Sequence, residues 1–194
     1  AQAGAAEGRP LRRSIVFVAF AGEELGFLGS GRYVSRPARP LDETAAMINL
    51  DMVGRAKTGG LSVQGVGTSP LWEPFARRLQ EEASLKVSIR RSGLSGSDHS
   101  PFYAKRVPVL FFFTGMHGEY HRPSDTADRV DAEGLAEVAR WARAAAELAA
   151  STPERPPFVE TKTPADPSGR GGKRAYLGIF PDFFADAGGA RVTG

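Results

Sequence analysis

The chain has 194 residues, 41% of them hydrophobic, enough for one domain with a real core. Its net charge of +3 is too mild to mark a nucleic-acid partner, and no stretch interleaves clustered Lys/Arg with aromatics. The absence of cysteine excludes disulfides, thiolate metal sites and a Cys nucleophile, and no apolar run is long enough to be a membrane segment.

Residues 14–20 (Ser-Ile-Val-Phe-Val-Ala-Phe) form a continuous apolar run rich in β-branched and aromatic types, the pattern of a strand buried on both faces. Gly22 allows a turn, Glu23 and Glu24 follow side by side, and Leu25, Leu28 and Tyr33 resume helical spacing until the prolines at 37 and 40. Residues 45–52 read as a second buried strand with Asp51 near its end, and residues 61–66 as a third. Ser69-Pro70 opens a helix to about residue 84, with Leu71, Trp72, Phe75 and Leu79 on one face; Pro74 leaves its first turn undefined. A short strand over 86–91 leads into a Gly/Ser loop, 92–100, containing Ser97-Asp98-His99. Residues 107–114 are a strong buried strand, followed by a loop with His117, Tyr120, His121 and Asp125. Asp131 caps a long helix to about residue 150, whose stripe is Leu135, Val138, Ala142, Ala145 and Ala149. The predicted fold class is α/β, a mixed and largely parallel central sheet flanked by helices.

The chemistry lies at strand ends. Two adjacent glutamates after a buried strand repel, which raises one pKa unless a cation or proton separates them. A metal would resolve this, with one Glu as ligand and its neighbour as general base. The alternative is that both simply favour a helix N-terminus through the dipole. Asp51 and the Tyr120-His121 loop follow two further strands, and carboxylate and imidazole are donors that zinc accepts in hydrolytic sites. Neither His-Glu-x-x-His nor a phosphate-binding Gly-x-x-x-x-Gly-Lys occurs. Residues 93–97 miss the Gly-x-Ser-x-Gly elbow by one position, so a serine triad from Ser95 or Ser97 with His99 is a weaker competing reading.

Four stretches then carry a resemblance: Ala-Phe-Ala-Gly-Glu-Glu-Leu-Gly-Phe-Leu-Gly-Ser (19–30), Ile-Asn-Leu-Asp-Met-Val-Gly (48–54), Ser-Asp-His-Ser-Pro-Phe (97–102) and Tyr-His-Arg-Pro-Ser-Asp-Thr (120–126). Together, and in this order, they resemble the M28 zinc aminopeptidases over residues from about 14 to 150. The resemblance implies a two-zinc site on an α/β sheet and removal of N-terminal residues from peptide substrates. By motif position Glu23 matches the general base that activates water, and Tyr120 the residue that stabilises the tetrahedral oxyanion. Glu24 and His121 match ligands of one zinc and Asp51 a ligand of the other, with Asp98 a residue beside the site. The family also uses a His and a bridging Asp upstream of the Glu-Glu motif. Before Glu23 the only acid is Glu7 and there is no His, so three of five expected ligands are present. The corresponding expectations are a sheet truncated on its N-terminal side and a chain that is inactive alone. Some relatives carry an Arg just before Ser-Asp-His, where this chain has Gly96.

Residues 151–173 shift to Pro, Thr, Gly and charge and read as a linker. Residues 174–194, with Tyr-Leu-Gly-Ile-Phe-Pro-Asp-Phe at 176–183, resemble the opening of a PDZ domain. The chain is thus expected to hold a partial peptidase domain (1–150), the linker and a PDZ-like start. The alternatives are a glutaminyl-cyclase-like or non-catalytic relative on the same fold, or a peptide-binding module through the tail. An extracytoplasmic location, periplasmic or secreted, follows from the resemblance alone.

Overall fold

The computed structural model describes residues 11–161 and the backbone of two later strands, Phe180–Asp182 and Arg191–Thr193. The chain divides into two units, Ala1–Thr163 and Pro164–Gly194.

The first unit is built on a four-stranded sheet of β1 (Met47–Leu50), β2 (Leu61–Gln64), β3 (Val87–Ile89) and β4 (Val109–Phe113), in the order β1-β4-β2-β3. β1 runs parallel to β4, β2 runs antiparallel to β4, and β2 and β3 are parallel. The sheet is therefore mixed, with two of its three pairings parallel. β4 is central in the sheet, and Val109 to Phe112 are buried on both of its faces, which explains its unbroken apolar sequence. Its alternation splits the core. Leu110 and Phe112 join the cluster built with Trp72, Phe75 and Leu79 of α3 (Trp72–Glu82) and Val138, Trp141 and Ala145 of α5 (Ala132–Ser151). Val109 joins a second cluster with Val34 of α1 (Leu28–Ser35) and Phe102 and Tyr103 of α4 (Ser100–Ala104). One short helix, α2 (Ala56–Gly59), links β1 to β2.

The predicted helices form where the pattern placed them. Pro74 sits in the first turn of α3, where no intrahelical N–H bond is needed. Asp131 caps α5 by accepting from the Gly134 N–H at 3.1 Å.

The expected strand over residues 14–20 does not form. No strand among the described residues pairs with it, and Val16, Phe17 and Val18 are 65%, 75% and 46% exposed. An all-apolar strand needs neighbours along both edges and cover on both faces, and only Phe20 at its end meets the core, beside Tyr33 and Phe102.

Residues 152–161, the first part of the expected linker, lie against this unit. The Val159 N–H donates to the Thr68 carbonyl at 2.8 Å, and the Thr161 N–H to the Tyr103 hydroxyl at 3.0 Å. The rest of that segment, 162–173, lies outside the described residues. In the second unit the described strands β5 (Phe180–Asp182) and β6 (Arg191–Thr193) pair antiparallel. The remainder of the PDZ-like stretch, including Leu177-Gly178-Ile179, also lies outside them.

Candidate metal-centre and hydrolytic site

Glu23 and Glu24 lie on a single 3-10 turn, Glu23–Leu25, between two left-handed glycines, Gly22 (φ 69°) and Gly26 (φ 83°). Both conformations cost an L side chain energy and glycine nothing comparable. The turn is pinned from below. The Gly29 N–H donates to the Ala21 carbonyl at 2.9 Å, so close that a Cβ on Gly29 would lie 2.6 Å from that oxygen.

Across from this turn stands the loop after β4. His121 takes a left-handed backbone (φ 55°), and its Nε2 lies 2.7 Å from Oε1 of Glu24. The Tyr120 ring stacks on the His121 imidazole at 3.8 Å between centroids. Asp51 follows β1 directly. Because β1 and β4 are parallel, Asp51 and this loop leave the same edge of the sheet.

Hydroxyls hold the remaining carboxylates. Ser97, buried, donates to Oδ2 of Asp51 at 2.8 Å and accepts from the Asn49 amide at 2.7 Å. Ser30, buried in α1, donates to Oδ1 of Asp98 at 2.5 Å. Each contact occupies one oxygen of a carboxylate.

Burial raises Glu23 to about 7, and the charges of Glu24, Asp51 and Asp98 push the same way, with His121 opposing. The Tyr120 hydroxyl is also raised, first by burial and then by Glu24, Glu23 and Asp51. All six residues predicted from the sequence therefore converge on one place. Glu24 and His121 remain about half exposed, so this edge is open to solvent. Among the described residues no group of three or more His, Asp or Glu closes around a single point as a metal cage would.

His99 has a different place. It is fully buried and stacks on Phe111 at 4.6 Å, and burial lowers its pKa to about 4. The Asn49 amide nitrogen lies 3.4 Å from Nδ1, and the Ser95 hydroxyl oxygen lies 2.8 Å from Nε2. An imidazole whose burial holds its pKa at about 4 is a weak base for Ser95, and Ser97 is committed to Asp51. This geometry argues against the serine triad. Ser30, Asn49 and Ser97 are supports that sequence reasoning did not identify. All three lie inside the quoted motif stretches, Ser30 at the end of 19–30, Asn49 in 48–54 and Ser97 beside Asp98, and that was their local signal.

The model of peptidase family M28 matches residues 1–146. The chain belongs to this family. Among its M28 and structural relatives, the curated aminopeptidase YwaD of Bacillus subtilis is 28% identical over 170 residues, spanning 82% of this chain and 37% of that protein. The crystal structure of a zinc aminopeptidase from Bacillus subtilis matches with a TM-score of 0.62 and 29% identity, covering 80% of this chain and 41% of that one. The LapA aminopeptidase of Legionella pneumophila matches in fold, with a TM-score of 0.64 at 24% identity over 76% of this chain and 42% of that one. The chain thus spans about two fifths of the length of such relatives.

Proposed function

We propose that the whole protein is a zinc-dependent aminopeptidase that removes N-terminal residues from peptides. The observation that carries this reading is the pairing of Glu24 with His121, 97 positions apart, at 2.7 Å beside a Glu23 poised near 7. A general base works best when its pKa lies near the working pH.

The donor set fits zinc chemically. Glu24 and His121 offer an oxygen and a nitrogen side by side, and Asp51 keeps one oxygen free of the Ser97 hydroxyl. The four carboxylates Glu23, Glu24, Asp51 and Asp98 also form a negative cluster that a cation would relieve. In this reading Glu24 and His121 hold one zinc and Asp51 a second. When bound, zinc supplies Lewis-acid polarisation of the scissile carbonyl and acidifies water. Glu23 takes the proton from the attacking water and delivers it to the leaving amine. Tyr120, kept protonated by its raised pKa, donates to the developing oxyanion. Asp98, held by Ser30, borders the site and keeps Glu23 basic through its charge.

Two further proposals accompany this one. Residues 174–194 begin a PDZ-like domain, a reading supported by the antiparallel pair of β5 and β6. The protein acts outside the cytoplasm, in line with the family resemblance.

The function is tested with Glu23→Gln in the whole protein, on a peptide with a free N-terminus and on the same peptide acetylated. We expect kcat to fall by about 10²–10⁴-fold on the free peptide with zinc content unchanged, and the acetylated peptide to resist the unaltered enzyme. Release of ammonia from N-terminal glutamine, without cleavage, would replace the reading with a cyclase.

A further inference from the structure

The loop that carries Tyr120 and His121 has almost no apolar anchorage, since every residue from 121 to 130 is exposed. Charge holds it instead. Arg55 lies four positions beyond Asp51, and its side chain is only 16% exposed. Its Nη2 is 2.6 Å from Oδ1 of Asp125 and 3.9 Å from Oε2 of Glu119. These two acids flank the pair Tyr120-His121 in the chain. The other oxygen of Glu119 receives Nη1 of Arg129 at 2.9 Å. The His117 imidazole stands between the same acids, Nδ1 3.4 Å from Glu119 and Nε2 3.8 Å from Asp125.

The backbone completes the tie. The Arg55 N–H donates to the Thr114 hydroxyl at 3.2 Å, and Thr114 donates in turn to the Met52 carbonyl through both its hydroxyl and its N–H. The segment after β1, which bears Asp51, is thereby joined to the segment after β4, which bears Tyr120 and His121. Isolated exposed ion pairs contribute little. Here Arg55 and His117 are shielded, at 16% and 15% exposed, while Asp125 and Arg129 are open to solvent, and the group joins five charged or ionisable side chains across the two segments. It also supports a left-handed His121, a conformation that costs about 1–2 kcal/mol outside glycine.

We infer that Arg55 is a positioning residue, which fixes Tyr120 and His121 against Glu24 and Asp51 by gripping Asp125 and Glu119. Its consequence for catalysis rests on the function proposed above; its consequence for loop order does not.

The test compares Arg55→Ala and Arg55→Lys with the unaltered whole protein in two measurements. In amide hydrogen exchange, the loop donors Tyr120, Arg122 and Asp125, which bond to His117, Glu119 and Arg122, are expected to exchange at least about tenfold faster in Arg55→Ala. The amides of β4 are expected to keep their protection, and Arg55→Lys to restore part of the loop's. In a double-mutant cycle on kcat, Tyr120→Phe is expected to cost much less in the Arg55→Ala background than alone, because the hydroxyl is already misplaced. Unchanged loop exchange, equal acceleration across β4, or additive costs in the cycle would overturn the inference. The exchange result needs no activity, so it stands or falls separately from the aminopeptidase reading.

Discussion

His99 shows how one buried side chain can contribute to the pH response of the domain. Its pKa is about 4 in the folded chain, against an ordinary value near 6.5, because burial disfavours the imidazolium. Above 6.5 the group is neutral in both states and its packing contributes fully. Between 6.5 and 4 the unfolded chain takes up a proton that the folded chain refuses, so stability falls as pH falls. The loss across that window is about 3 kcal/mol. Glu23, raised to about 7, changes stability in the opposite sense over the same range, so the readout is the difference between proteins: in urea unfolding, the stability of the unaltered protein relative to His99→Gln, which cannot titrate, is expected to fall between pH 7 and pH 4.5, and a difference that does not change with pH would remove His99 from this role. Ser97 acts on the site more directly. Its hydroxyl fixes one oxygen of Asp51, so Ser97→Ala is expected to weaken zinc binding about 10–100-fold in a chelator competition. Affinity equal to that of the unaltered protein would mean that the hydroxyl does not position Asp51 for zinc.

At the scale of elements, the Glu23–Leu25 turn depends on a backbone approach that only glycine permits. Gly29→Ala would place a Cβ 2.6 Å from the Ala21 carbonyl oxygen and 2.8 Å from its nitrogen, and backbone atoms cannot step aside as a side-chain end can. The expected cost is about 1–3 kcal/mol, read as a lowered thermal midpoint, together with a displaced acid pair. A midpoint unchanged by Gly29→Ala would show that the segment relaxes freely. Strands β1 to β4 and helix α5 could be read from the sequence because their burial is settled by their own patterns: alternation in β2, an apolar run in β4, a stripe and an Asp cap in α5. Residues 14–20 could not. Their composition states a demand for neighbours on both faces, and whether the demand is met depends on other parts of a fold. The site divides in the same way. The chemistry of Glu23, Glu24, Asp51, Tyr120 and His121 is written in residue type and motif. Ser30 and Asn49 lie within the motif stretches, but their bonds to Asp98 and Ser97, and Arg55's grip on Asp125 across 70 positions, belong to tertiary placement, which residue type does not announce.

For the molecule as a whole, the sheet brings groups from distant segments to one edge, and the parallel pairing of β1 with β4 is what does so. The core behind that edge is well filled: Trp72, Phe112 and Leu79 are fully buried, and Phe75 packs edge-on between Phe112 and Trp141. Phe112→Ala is expected to cost about 3–5 kcal/mol in denaturant unfolding, and through β4 to loosen the loop that bears His121. Whether Glu23 is the base of the proposed zinc-dependent aminopeptidase is decided by a single comparison. It is the turnover of the whole protein on a free-N-terminal peptide, with zinc content determined on the same samples, for Glu23 and for Glu23→Gln. Equal zinc and a kcat lower by about 10²–10⁴-fold in the variant are expected. Near-equal turnover at equal zinc would remove Glu23 from that role.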